Sequence, residues 1–189
     1  IKSWGANLFI MPHGLEIDAK DNVWITDVGL HQVIKYDSNG QELMVLGQEN
    51  KPGNDSIHFN LPTDVAVSKK GSFYVSDGYG NSRIIKFSSD GEYLFEWGVF
   101  GKNKNEFNTP HGLDLDDEGN VYVADRENNK IQKFDSLGNF ISEWKNDMIG
   151  QLYSVNVNNY DKSLFGIDYI VNENLAPIGS DIIKFDLDL

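Results

Sequence analysis

Two stretches of the chain carry the same four residues, Pro12-His13-Gly14-Leu15 and Pro110-His111-Gly112-Leu113. Imidazole is the side chain that most readily serves as a neutral ligand to zinc, iron or another divalent ion near neutral pH. Two imidazoles brought to one point by a repeat would make most of such a site; taken singly, each Pro-His pair is equally a turn element whose ring is satisfied within the protein. His31 and His58 stand outside this pattern and are read as ordinary structural residues.

The elements that must position these histidines follow from an internal repeat. Pro12, Pro62 and Pro110 open matching units roughly 50 residues apart. Each unit holds four short runs of alternating β-branched or aromatic residues, for example "TDVAVS", "SFYVSD", "RIIKFS" and "EYLFEWG", separated by Asn-, Asp-, Ser- and Gly-rich turns. Such units are blades of an all-β, β-propeller fold built from four-stranded antiparallel sheets. The blades are assigned to 12–60, 61–108, 109–149 and 150–189 of a single domain; the last is degenerate and stops before its outer strand, and no helix is expected. The first strand of a blade lines the channel, so His13, Thr63 and His111, with Tyr79 and Arg126 from the ends of second strands, should gather at one mouth; the fourth unit offers Tyr153 or a neighbour. In a six-bladed ring, histidines on alternate blades would form a three-fold metal site. In a four-bladed ring they would face each other.

Composition narrows the partners. With 16 basic against 29 acidic side chains the formal net charge is −13, which repels nucleic acid and anionic membranes. No apolar run approaches the roughly 20 residues of a membrane span, and the absence of cysteine excludes disulfides and thiolate sites. The chain starts inside a strand pattern at Ile1 and reads as a mature or trimmed segment.

The stretches "NLFIMPHGLEIDAKDNVWITDVGLHQVIKYD", "FNLPTDVAVSKKGSFYVSDGYGNSRIIKF" and "PHGLDLDDEGNVYVADRENNKIQKF" resemble the peptidyl-α-hydroxyglycine α-amidating lyase family. The resemblance implies an NHL-type six-bladed propeller, of which about four blades lie here. It implies cleavage of a C-terminal α-hydroxyglycine to a peptide amide and glyoxylate, in a secretory setting, with a peptidylglycine monooxygenase as fused or separate partner. By the same resemblance His13 and His111 are two of three zinc ligands, the third lying in a later motif beyond Leu189. Tyr79 matches an active-site tyrosine proposed as base, Arg126 an arginine that supplies charge or faces the substrate carboxylate, and Leu15 a position whose carbonyl binds a structural calcium. A phenol of ordinary pKa near ~10 needs a cation beside it to act as a base. The family's two disulfides in this region are both replaced, at Asn60 with Gly80 and at Tyr122 with Lys133.

Other signals have plainer readings. "DLDDEGNVYVAD" mimics a calcium loop, but strands flank it and it is expected to be a hairpin turn. Asp27, Asp77, Asp125 and Asp168 recur at the end of second strands, where they should accept backbone N–H bonds. Asn81 and Arg83 are turn and ion-pair residues that also stand as candidate substrate contacts beside Tyr79. The rival to a lyase is a non-catalytic NHL-repeat propeller that binds a protein or peptide at one mouth. A metal-dependent hydrolase of lactonase type is disfavoured by the paired Pro-His motifs.

Overall fold

A computed structural model describes residues 3–145, 149–171 and 177–187. It contains the expected repeat of antiparallel sheets. The first blade is β1 (Pro12–Ile17), β2 (Val23–Asp27), β3 (Gln32–Tyr36) and β4 (Glu42–Leu46). The second is β5 (Asp64–Val67), β6 (Phe73–Asp77), β7 (Arg83–Phe87) and β8 (Tyr93–Trp97). A short parallel pair, β9 (Val99–Phe100) with β10 (Glu106–Phe107), links it to the third blade of β11 (Pro110–Leu115), β12 (Val121–Asp125), β13 (Lys130–Phe134) and β14 (Phe140–Lys145). In the fourth, β15 (Gln151–Asn158) pairs with β16 (Ser163–Val171), whose other edge carries β17 (Pro177–Gly179) and β18 (Ile182–Asp186) in succession.

Within each complete blade the strands pair in sequence order, so every connection is a hairpin. The turn between first and second strands is set by a short polar side chain. Asp116 Oδ1 accepts the N–H groups of Glu118 and Asn120, and Asp18 Oδ1 does the same for Lys20 and Asn22. The left-handed residue that this turn requires is Gly71 or Gly119 in the second and third blades, and Asp21 (φ 60°) in the first. The segment that resembled a calcium loop is therefore a strand hairpin.

The second strands of the second and third blades, β6 and β12, are buried on both faces, with every residue of Val121–Asp125 sealed from solvent, because each of these blades packs against one on either side. Val65 enters a cluster with Trp24, Val33 and Phe59 of the first blade, and Leu113 and Leu115 enter one with Tyr74, Ile84 and Trp97 of the second. The same positions of β1 have no such neighbour among the described residues: Leu15 is 66% exposed where Leu113 is 4% exposed. A 3-10 turn, Arg126–Asn128, is the one helical element among the described residues; Asn129 ends it in the left-handed region.

The positions where relatives in the resembled family would carry disulfides are neighbours. Gly80 N–H donates to the Asn60 carbonyl at 2.9 Å and Asn60 Nδ2 to the Gly80 carbonyl at 3.2 Å. Tyr122 and Lys133 are register partners, with Lys133 Nζ 5.1 Å from the Tyr122 ring centre.

Three carboxylates on the innermost strands, Glu16, Asp64 and Asp114, repel one another. Burial, then the charge of Asp114, pushes Glu16 up to about 7. Burial pushes Asp64 to about 7 although it accepts N–H groups from Leu113 and Val65. A folded carboxyl that keeps a proton the unfolded chain has released loses stabilisation as pH rises through its folded pKa. The urea midpoint should therefore fall from about pH 4.5 to about pH 7.5, and Glu16→Gln should shrink that fall.

Candidate functional site

Each inner strand is anchored at its start by the buried aspartate that ends the second strand. Asp27 accepts the N–H groups of Ile10 and Met11 just before Pro12, and that of Leu30 after the strand. Asp125 accepts Asn108 N–H before Pro110, Asp77 accepts Asn60 N–H before Pro62, and Asp168 accepts Gly150 N–H. Asp27, Asp77 and Asp125 also hold the turn that follows, through Leu30 N–H and the Asn81 and Asn128 side-chain amides, whereas Asp168, inside β16, accepts Asp181 N–H across the sheet.

Beyond that anchor, β1, β11 and β15 carry a register shift. Pro12 opposes Asp27 but Leu15 opposes Ile25; Pro110 opposes Asp125 but Leu113 opposes Val123; Leu152 opposes Asp168 but Ser154 opposes Ile167. A β-bulge re-aims the side chain it contains, and the bulged segments hold His13, His111 and Tyr153. Gly112 follows His111 because a Cβ there would lie 2.7 Å from Ser154 Cα; Gly14 is pressed in the same way by Asp64.

The side chains converge at the mouth. His13 Nδ1 lies 2.7 Å from the carbonyl of Thr63, and His111 Nδ1 lies 2.6 Å from that of Tyr153. Carbonyls only accept, so both rings carry their hydrogen on Nδ1 and present a lone pair on Nε2. The two Nε2 atoms converge on the Tyr79 hydroxyl, His13 at 3.1 Å and His111 at 2.9 Å, with the ring centres 4.8 Å apart. Burial, reinforced by His13 and the charge of Arg126, holds His111 down at about 4, so it is neutral at physiological pH.

Thr63, the residue without an imidazole, binds both histidine strands together. Its carbonyl holds His13, while its hydroxyl lies 2.9 Å from the Pro110 carbonyl and 2.7 Å from Ser76 Oγ, which reaches the His111 carbonyl at 3.2 Å. Arg126 opens the 3-10 turn. Its Nε and Nη2 each lie 2.9 Å from Glu127 Oε1, and its Nη1 lies 3.4 Å from the Tyr79 hydroxyl. Its guanidinium is flanked by the rings of Tyr79 at 5.2 Å and Tyr153 at 5.0 Å.

The structure thus gathers His13, Thr63, Tyr79, His111 and Arg126, with Tyr153 beside them. Asn81 and Arg83, read as turn and ion-pair residues and as candidate substrate contacts, make the former kind of contact here. Asn81 Nδ2 donates to Gly53 O and Asp77 Oδ2. Arg83 gives Nε to Asp77, Nη1 to Asn54 O and Glu96, and Nη2 to Asp55 O and His58 O, engaging all five of its donors. Both pin the 53–58 loop at the rim. Leu15 sits two residues beyond His13 on the uncovered side of β1. Gln151 carried no sequence signal because it belongs to no repeated motif, and Ser76 stands in the repeated "SFYVSD" run at a position that is Thr26 and Ala124 in the neighbouring units, so its role was not marked.

The two imidazoles fit a divalent ion, because two lone pairs face a point where a phenol hydrogen satisfies only one of them. Among the described residues, no three His, Asp or Glu side chains meet at one ion-sized space.

Fold and mouth define an NHL-repeat propeller with a histidine-lined opening: the NHL-repeat family pattern matches residues 59–87 and 107–134. The chain is 45% identical over 159 residues to peptidyl-glycine alpha-amidating monooxygenase A of Xenopus laevis, covering 80% of this chain and 17% of that protein. It is 47% identical over 138 residues to the probable peptidyl-alpha-hydroxyglycine alpha-amidating lyase of Caenorhabditis elegans, covering 71% of this chain and 39% of that protein. Among solved structures, the hydrazine synthase of Kuenenia stuttgartiensis shares the fold at a TM-score of 0.72 and 14% identity, over 98% of this chain and 50% of that one. The chain belongs to the peptidyl-α-hydroxyglycine α-amidating lyase family and spans well under half the length of these two relatives.

Removing the Asp77 carboxylate would leave Arg83 and Asn81 without their buried acceptor. Asp77→Ala should cost about 3–5 kcal/mol, read as a lowered denaturant midpoint at unchanged m-value.

Proposed function

We propose that the protein containing this chain cleaves peptides ending in α-hydroxyglycine into a peptide amide and glyoxylate. The observation that supports this most is the convergence of two Nε2 lone pairs and the Tyr79 hydroxyl beside the Arg126 guanidinium, in a chain so similar to named lyases. His13 and His111 would hold zinc through Nε2, and zinc when bound supplies a Lewis acid that lowers the pKa of a coordinated hydroxyl or water. The Leu15 carbonyl is proposed, on family resemblance alone, as a ligand to a structural calcium, to which no step is given.

The rest of the chemistry belongs to side chains. Ionised Tyr79 takes the proton of the substrate hydroxyl; as the oxygen forms its carbonyl double bond, the C–N bond breaks and the electron pair goes to nitrogen. Tyr79 then returns that proton to nitrogen, completing the amide and leaving glyoxylate, so atoms and charge balance. The Arg126 guanidinium 3.4 Å away is the fixed positive charge that an ionised Tyr79 would face. Its remaining N–H groups suit the terminal carboxylate of the substrate. The implied partner reaction is hydroxylation of a C-terminal glycine by a monooxygenase, in a secretory setting.

Full-length protein incubated with an α-hydroxyglycine-extended peptide should release glyoxylate, and a strong chelator should suppress the release. A metal-loaded protein that makes none rejects the reading. Tyr79→Phe should lower kcat by roughly 100-fold or more at unchanged metal content; full activity in that variant would remove Tyr79 as the base. His111→Ala should lose most of the bound metal, measured by elemental analysis, and full occupancy would refute its role as ligand.

A further inference from the structure

The register of the inner strands gives Tyr153 the place in the fourth blade that His13, Thr63 and His111 hold in the others. Leu152 faces Asp168 as Pro12 faces Asp27, and Val155 faces Gly166 as Leu15 faces Ile25, so Tyr153 occupies the bulge that elsewhere aims an imidazole into the mouth. Tyr153 brings no metal-binding nitrogen. Its ring lies 5.0 Å from that of His111 and 5.0 Å from the Arg126 guanidinium, edge-on to Tyr169 behind it at 5.9 Å. Two residues earlier on the same strand, Gln151 Nε2 donates to Glu127 Oε2 at 2.6 Å, steadying the carboxylate whose other oxygen grips Arg126. The fourth blade therefore holds Arg126 twice, on its face and through its counter-ion.

We propose that Tyr153 is a positioning residue: with Tyr79 it sandwiches the Arg126 guanidinium, fixing the plane in which its free N–H edge meets the carboxylate of the substrate and of glyoxylate. The ring is what matters, since a cation is held over an aromatic face with or without a hydroxyl. The backbone carbonyl that holds His111 survives any substitution at this position. This role rests on the lyase reading for its substrate and on geometry alone for its contact with Arg126.

The test uses full-length, metal-loaded protein and two readouts, glyoxylate affinity by calorimetry and the steady-state constants with an α-hydroxyglycine peptide. Tyr153→Leu should weaken glyoxylate binding and raise KM by about tenfold, with kcat, metal content and thermal midpoint close to wild type. Tyr153→Phe should match wild type within about twofold. In an Arg126→Ala background, Tyr153→Leu should change neither constant further. A loss of equal size with and without Arg126, or a Phe variant as impaired as the Leu variant, overturns the proposal. Wild-type protein that binds glyoxylate through Arg126 and Tyr153 but releases none from the peptide would instead sink the lyase reading and leave this role standing.

Discussion

The buried aspartate at the end of each second strand is the constraint on which the rest of the molecule depends. Asp27, Asp77, Asp125 and Asp168 are sealed from water, and each closes the segment that leads into its own inner strand. A buried carboxylate is tolerated only when its oxygens are satisfied, and here most of the partners are backbone N–H groups. The cost shows in Asp125, which burial raises to about 6 despite its hydrogen bonds with Asn128 and Asn108. In return the start of the inner strand has one position relative to the sheet. Without it the bulges that follow, and the side chains they aim, would have no fixed origin.

From that origin the mouth is assembled by contacts between blades. Each histidine gives its Nδ1 hydrogen to the carbonyl at the matching position of the next blade, His13 to Thr63 and His111 to Tyr153. Thr63 then links onward to the Pro110 carbonyl. The tautomers, the direction of the Nε2 lone pairs and the separation of the rings are thus properties of blade packing. Tyr79 and Arg126 arrive from second-strand ends, where a two-glycine loop and a 3-10 turn place them over the inner strands.

Much of this was legible in the sequence because propeller repeats write their geometry as a period. The strand pattern, the hairpin turns and the gathering of His13, Tyr79, His111 and Arg126 all follow from aligned units. What stayed hidden was pairwise. Nothing in "GNSRI" reveals that all five Arg83 donors are consumed by Asp77, Glu96 and the 53–58 loop. Its nearness in sequence to Tyr79 makes it a candidate substrate contact, but Tyr79 lies in the loop between β6 and β7 whereas Arg83 opens β7, and the two side chains go to different partners. The 3-10 turn at Arg126 is too short to produce a helical period. The bulges are invisible as well, because one additional residue in a strand of six leaves the alternation ambiguous.

The carbonyl that orients each imidazole belongs to a different blade from the imidazole itself. The distance between the two Nε2 atoms is therefore the sum of several blade-to-blade contacts, and slippage at any one of them is transmitted to the pair. A propeller built this way makes the spacing of its two imidazoles a readout of blade register: any ligand that had to touch both nitrogens would be held by the packing of three blades and by no single sheet.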